Sequence, residues 1–194
     1  MFFHKRLIKV TLKDFHFINK DGIKNMNPQL KVTILRNAKI ITYPFNNYFL
    51  GFEKVKAVQD LFGEHTERVI NDLKVTFYGR VGYMGVSSEN GNIRVSAHYM
   101  KNGDRRDIYL DIIHELVHVK QFMDGKELRD RSFLYVERPT EIEAYRYAVE
   151  EAKRLGMDDK EILEYLKTEW MSKENLMSLA KIVNIGVDKI SENV

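Results

Sequence analysis

The chain has 194 residues, 44% of them hydrophobic, and 31 basic against 28 acidic side chains mixed along its length give a net charge of +3. That is enough to bury a core, and without a concentrated basic stripe nothing supports nucleic-acid binding. The absence of cysteine excludes disulfides, thiolate metal sites, iron–sulfur clusters and cysteine nucleophiles, and no apolar run approaches the roughly 20 residues of a membrane span; the expectation is a cytoplasmic protein.

Residues 1–50 read as a β-rich lobe. Apolar and polar residues alternate over Leu7–Leu12, Phe15–Ile18, Lys31–Leu35 and Lys39–Tyr43, with turn signals at Asp21-Gly22, Asn27-Pro28 and Arg36-Asn37. The aromatic residues of this lobe, among them Phe45, Tyr48 and Phe49, are most simply its core. Phe52, Val55, Val58, Leu61 and Phe62 then recur at helical spacing, with Gly63 as the stop. A β-meander is expected next, over Leu73–Tyr78, Arg80–Ser87 and Ile93–Tyr99, the last two strands joined across Asn90-Gly91, a strong hairpin signal.

A long helix follows from Asp104, as N-cap, to Met123, with Gly125 ending it; a second runs from Pro139-Thr140 to Leu155, with Gly156 beyond. Two shorter helices, Asp159–Met171 and Lys173–Val183, make residues 157–194 a helical segment. The order is that of an α+β fold: a β-rich lobe, a helix, a small antiparallel sheet, and then the helices.

The first long helix contains His114-Glu115-Leu116-Val117-His118. Residues four apart in a helix lie one turn apart on one face, so both imidazoles can be aimed at one point with Glu115 beside them; this pattern is a zinc site. The uncharged flanks Ile112, Ile113 and Val119 belong to a half-buried helix rather than a solvated one. A catalytic zinc takes three protein ligands and leaves a fourth position for water. No histidine follows His118, which excludes the metzincin pattern, so the third ligand is a carboxylate. Asp124 and Glu127 follow too closely to fold back, and Glu137 lies in a loop. Glu141 and Glu143, at the start of the next helix, are the two best-placed donors. Glu143 has a second reading as the partner of Thr140 in a capping box.

With Glu141-Ile142-Glu143-Ala144-Tyr145 downstream, the HExxH motif resembles that of the gluzincin metallopeptidases, and the small size and helical tail resemble most closely the archaeal minigluzincins. The resemblance covers about residues 50–156. It implies that residues 51–156 are a zincin-like catalytic core holding one Zn²⁺ through His114, His118 and Glu141, with Glu115 as the general base. It also implies a peptide or protein substrate laid along the strand before the zinc helix, Ile93–Met100, and latency through a terminal segment lying in the cleft. The tail residues Leu163, Leu166, Trp170, Leu176, Leu179 and Ile182 have the alternative role of completing the core. Where many gluzincins place an aspartate behind a zinc histidine, this chain has Tyr145, so that support must come from a phenol or elsewhere. His98, Tyr99, Tyr145, Arg146 and Tyr147 are the candidates for stabilising an oxyanion, and the sequence does not rank them. The leading expectation is a zinc endopeptidase. Two alternatives stay open: a regulatory or binding protein on the same fold, and a zinc hydrolase of a non-peptide substrate.

Overall fold

A computed structural model describes residues 30–186. The expected strands at Leu7–Leu12 and Phe15–Ile18 lie outside the described residues. The architecture is α+β.

Two short strands, β1 (Thr33–Ile34) and β3 (Phe49–Leu50), pair antiparallel. The second sheet contains β2 (Thr42–Pro44), β4 (Lys74–Tyr78), β5 (Met84–Val86) and β6 (Ile93–Ser96) in the order β2-β4-β6-β5. The β5–β6 hairpin forms as its turn residues predict, but the meander does not: β6 lies between β4 and β5 and runs parallel to β4. Burial explains the order. Val75 and Phe77 of β4 lie opposite Ile93 and Val95 of β6, and all four side chains are removed from solvent. The two most buried strands thus take the centre, leaving, among the described residues, the three-residue β5, with Gly85 at its middle, as an edge. The chain reaches β5 by passing over the end of β6, where the Ser96 amide donates to the Tyr83 carbonyl (2.8 Å) and its hydroxyl to the Arg80 carbonyl (2.9 Å).

Ser96 also ends β6. Its hydroxyl accepts from the Tyr99 amide and caps a short helix, α3 (Ala97–Asn102), so His98 and Tyr99 are helical and not on the strand expected to reach Tyr99. Before the sheet, α1 (Lys56–Phe62) stops at Gly63, whose φ of 57° suits glycine. A further helix, α2 (Thr66–Asp72), is absent from the sequence reading; it is two turns long and buries Val69 and Ile70.

The two long helices are α4 (Arg105–Met123), capped by the Asp104 side chain on the amides of Arg106 and Asp107, and α5 (Pro139–Arg154). They pack along each other. Tyr109 of α4 donates to the buried Glu151 of α5, which Arg154 also engages, so a fully buried phenol and carboxylate fix the pair. Phe45, Phe49, Phe52 and Tyr109 form a run of tilted and edge-on rings that seats residues 45–52 on α4.

Helix α6 (Asp159–Leu166) opens with a capping box between Asp158 and Glu161 and stops at the extended Lys167, short of the expected Met171. After it comes α7 (Lys173–Ile182), capped by Ser172. Ile162, Leu166 and Leu179 are fully buried in the core that also holds Val32 and Ile34, whereas Trp170 is 56% exposed. No helix among the described residues is long and apolar enough to cross a membrane.

Candidate metal centre

Helix α4 is buried almost continuously from Ile108 to Val119, yet Asp111, His114, Glu115, His118 and Gln121 recur along it at spacings of three and four. A polar stripe on a buried helix needs partners for each group. His114 and His118 point their Nε2 atoms at one place, 3.0 Å apart. The first turn of α5 brings Glu141 there, with Oε2 at 3.3 Å from His114 Nε2 and 3.4 Å from His118 Nε2. All three residues are buried.

This group could hold a metal ion. Tetrahedral coordination with bonds of about 2.0–2.1 Å sets ligand atoms roughly 3.3 Å apart, and the Glu141 distances match that spacing. The chemistry of the set, two imidazole nitrogens and one carboxylate oxygen, suits a borderline divalent cation. Glu141 Oε2 is buried without a well-directed hydrogen bond from either ring, as expected of an oxygen aimed at a centre between them.

Electrostatics follow the same geometry. Burial opposes protonation of His118, but Glu141 and Glu115 outweigh it and raise this imidazole to about 9. Burial dominates at His114 and lowers it. Burial also opposes ionisation of Glu141, yet the two imidazoles hold its carboxyl well below the usual carboxylate range. The other carboxylate oxygen, Oε1, faces Arg138 Nη1 at 3.7 Å.

Behind His118 stands Gln121. Its Oε1 lies 2.7 Å from His118 Nδ1, so Nδ1 carries a hydrogen and Nε2 is the nitrogen turned to the centre, free to bind a metal once its own proton is displaced. Gln121 Nε2 donates to the Thr140 carbonyl (3.0 Å) and to Glu143 Oε2 (2.8 Å), and Lys126 Nζ reaches the same Glu143 oxygen at 2.8 Å. Glu143 is therefore neither a ligand nor the partner in a Thr140 capping box. Thr140 lies inside α5 with its hydroxyl unpaired, and Glu143 anchors the residue that orients His118. Tyr145 does not replace the aspartate that many gluzincins place behind a histidine: its ring packs edge-on against His114, with centroids 4.5 Å apart, and among the described residues His114 Nδ1 has no partner.

Glu115 is 6% exposed, its Oε2 has no hydrogen-bond partner, and burial raises it to about 8. It sits where two cavities meet. One, of about 300 Å³, extends past Asp111 towards Trp170; the other, of about 340 Å³, extends past β5 towards Arg129, Arg131 and Arg138. His114, Glu115, Met84 and Tyr135 border both cavities.

The chain matches no protein-family model, no curated protein and no solved structure.

The remaining sequence candidates fall into place around the centre. His98 and Arg146 are exposed and border neither cavity. Tyr147 packs on the core, and Tyr99 donates to Asp111 Oδ2 at 2.6 Å. Sequence reasoning did not single out Gln121 or Tyr135. Gln121 was within reach, since positions 114, 118 and 121 share a helical face. Tyr135, on a 3-10 turn before α5, carries no local signal; its hydroxyl lies 3.3 Å from that of Tyr145. The expected substrate strand changes too: β6 is paired on both sides, and among the described residues the unpaired edge beside the centre is β5.

Proposed function

We propose that this chain is a zinc-dependent peptidase of the gluzincin type. The observation that carries the reading is the unpartnered, buried carboxylate of Glu115 beside a three-ligand centre that opens on a cleft. A structural zinc site is closed by four ligands and has no use for a free carboxylate; a hydrolytic one needs an open position and a base.

His114 Nε2, His118 Nε2 and Glu141 Oε2 would hold Zn²⁺, which when bound lowers the pKa of its water to about 7 and polarises a carbonyl. Glu115 accepts the proton of the attacking water at Oε2 and delivers it to the leaving amine. Its raised pKa matches that double duty. The Tyr135 hydroxyl, kept protonated by burial and by Tyr145 and Glu141, donates to the oxyanion developing on the substrate. Gln121 and Arg138 hold His118 and Glu141 in place. The edge of β5 offers backbone groups to an extended substrate, which reads peptide backbone in general and favours unfolded segments.

The test is Glu115→Gln in the full-length chain loaded with zinc and offered a quenched peptide library. The variant is expected to keep stoichiometric zinc and the wild-type fold while losing peptide hydrolysis. Equal turnover by wild type and variant would place the base elsewhere and reject the reading.

A further inference from the structure

The two halves of the cleft differ in charge. Beyond Gly85 and Val86 of β5 the wall carries Arg129, Arg131 and Arg138. On the other side, beyond Met84, the cavity is bordered by Asp107, Asp111, Glu115 and Glu164, with Lys167 as the only lysine or arginine in its lining among the described residues, and Lys167 already lies 3.6 Å from Glu164.

Asp111 is the centre of that second half. It lies one turn before His114 on α4 and accepts hydrogen bonds from Tyr99 (2.6 Å) and Tyr165 (3.1 Å). Among the described residues, no lysine, arginine or histidine is within ion-pair distance of Asp111 or Asp107. Two phenols occupy only part of the acceptor capacity of a carboxylate, and a shielded carboxylate without a cation is uncommon. The cavity also contains the unpartnered, buried Oε2 of Glu115, which connects it to the reacting centre. Its walls are aromatic: Tyr99, Tyr135, Tyr165 and Trp170, the last set edge-on to Tyr135 at 4.7 Å. Aromatic walls hold an aliphatic stem and attract a cation at its tip. At about 300 Å³ the cavity stands at the small end of ligand sites, the scale of a side chain.

We infer that this cavity is a specificity pocket for a cationic side chain, lysine or arginine, with Asp111 as the residue that selects it. The inference rests on the peptidase reading for its place in the reaction. Antiparallel pairing is the more stable mode at a sheet edge, so a substrate strand on β5 runs from the arginine side towards Met84. The selected residue is then the one immediately after the cleaved bond, and acidic residues before that bond meet the arginines. A free amino terminus would fall on the arginine side, so the pocket takes a side chain and not a chain end.

Binding and cleavage test this separately. Nα-acetyl-lysinamide, Nα-acetyl-leucinamide and leucinamide, with its free α-amine, are titrated by NMR into the zinc-loaded full-length chain and into its Asp111→Asn variant. Acetyl-lysinamide is expected to bind at least tenfold more tightly than either leucine probe, and Asp111→Asn to erase that difference. Equal binding of the two acetylated probes, or a lysine preference that survives Asp111→Asn, overturns the inference whether or not peptides are hydrolysed. Preferred binding of leucinamide overturns the side-chain assignment in favour of a terminal amine. With doubly blocked peptides varied after the cleaved bond, lysine is expected to exceed leucine at least tenfold in kcat/KM. Hydrolysis without that preference rejects the pocket alone. Absence of all hydrolysis rejects the peptidase reading, while the binding result still decides the pocket.

Discussion

Replacing Gln121 by leucine tests whether the metal centre depends on the residue behind it. Gln121 is 1% exposed and makes three hydrogen bonds, to His118, Thr140 and Glu143. Glu143 keeps Lys126 after the change, and the Thr140 carbonyl lies inside α5, so the cost concentrates on His118. Its Nδ1–H is left buried without an acceptor, a penalty of about 1–3 kcal/mol, and the ring loses the contact that fixes its tautomer. Removing such a support costs about 10–100-fold in metal affinity, or roughly 1.4–2.7 kcal/mol. The two routes agree, so zinc affinity is expected to fall 10–100-fold with the fold retained. Competition against a chromophoric chelator measures it, with circular dichroism as the control. A folded variant that binds zinc within twofold of wild type would show that His118 needs no such support. Gln121→Glu is not a mild substitute: it keeps an acceptor for His118 but sets a second carboxylate against Glu143 and removes the donor for the Thr140 carbonyl.

Glu141→Gln is expected to lower zinc affinity far more than Glu143→Gln, since only Glu141 faces both imidazoles; the same titration checks it, and a larger loss from Glu143→Gln would contradict the assignment. Tyr135→Phe should leave zinc binding intact and lower kcat on the order of 100-fold, as for loss of an oxyanion donor, with little change in KM; steady-state kinetics on one blocked peptide decides it. Ending the chain at Gly156 removes the fully buried Ile162, Leu166 and Leu179. At about 1.5–3 kcal/mol each, their loss rivals the whole stability of a typical domain, so the truncated chain should unfold and not gain activity. A folded, zinc-loaded and more active product in the same peptide assay would instead support inhibition by the tail.

The helices that carry the centre were legible because their ends are written locally: Asp104 caps α4, Gly125 ends it, Pro139 begins α5, and Gly156 follows its last turn. The two histidines were legible because helical spacing alone brings them together. The choice between Glu141 and Glu143 was not settled by residue type. Two positions along a helix turn a side chain through about 200°, and only the packing of α5 on α4 decides which glutamate faces the histidines and which faces Lys126. The sheet order was illegible for a similar reason. The hairpin turn at Asn90-Gly91 joins β5 to β6, but the neighbour of β4 is chosen by which strand best buries Val75 and Phe77. Tyr135 reaches the cleft only through the path of the loop between α4 and α5.

Every group proposed to bind the metal belongs to one helical hairpin, α4 and α5. The centre itself joins positions far apart in sequence, since His118 meets Glu141 only after the whole loop between α4 and α5 has closed. A cation bound there would clamp that loop shut and stabilise the folded chain by mass action, in proportion to the logarithm of its concentration over its Kd.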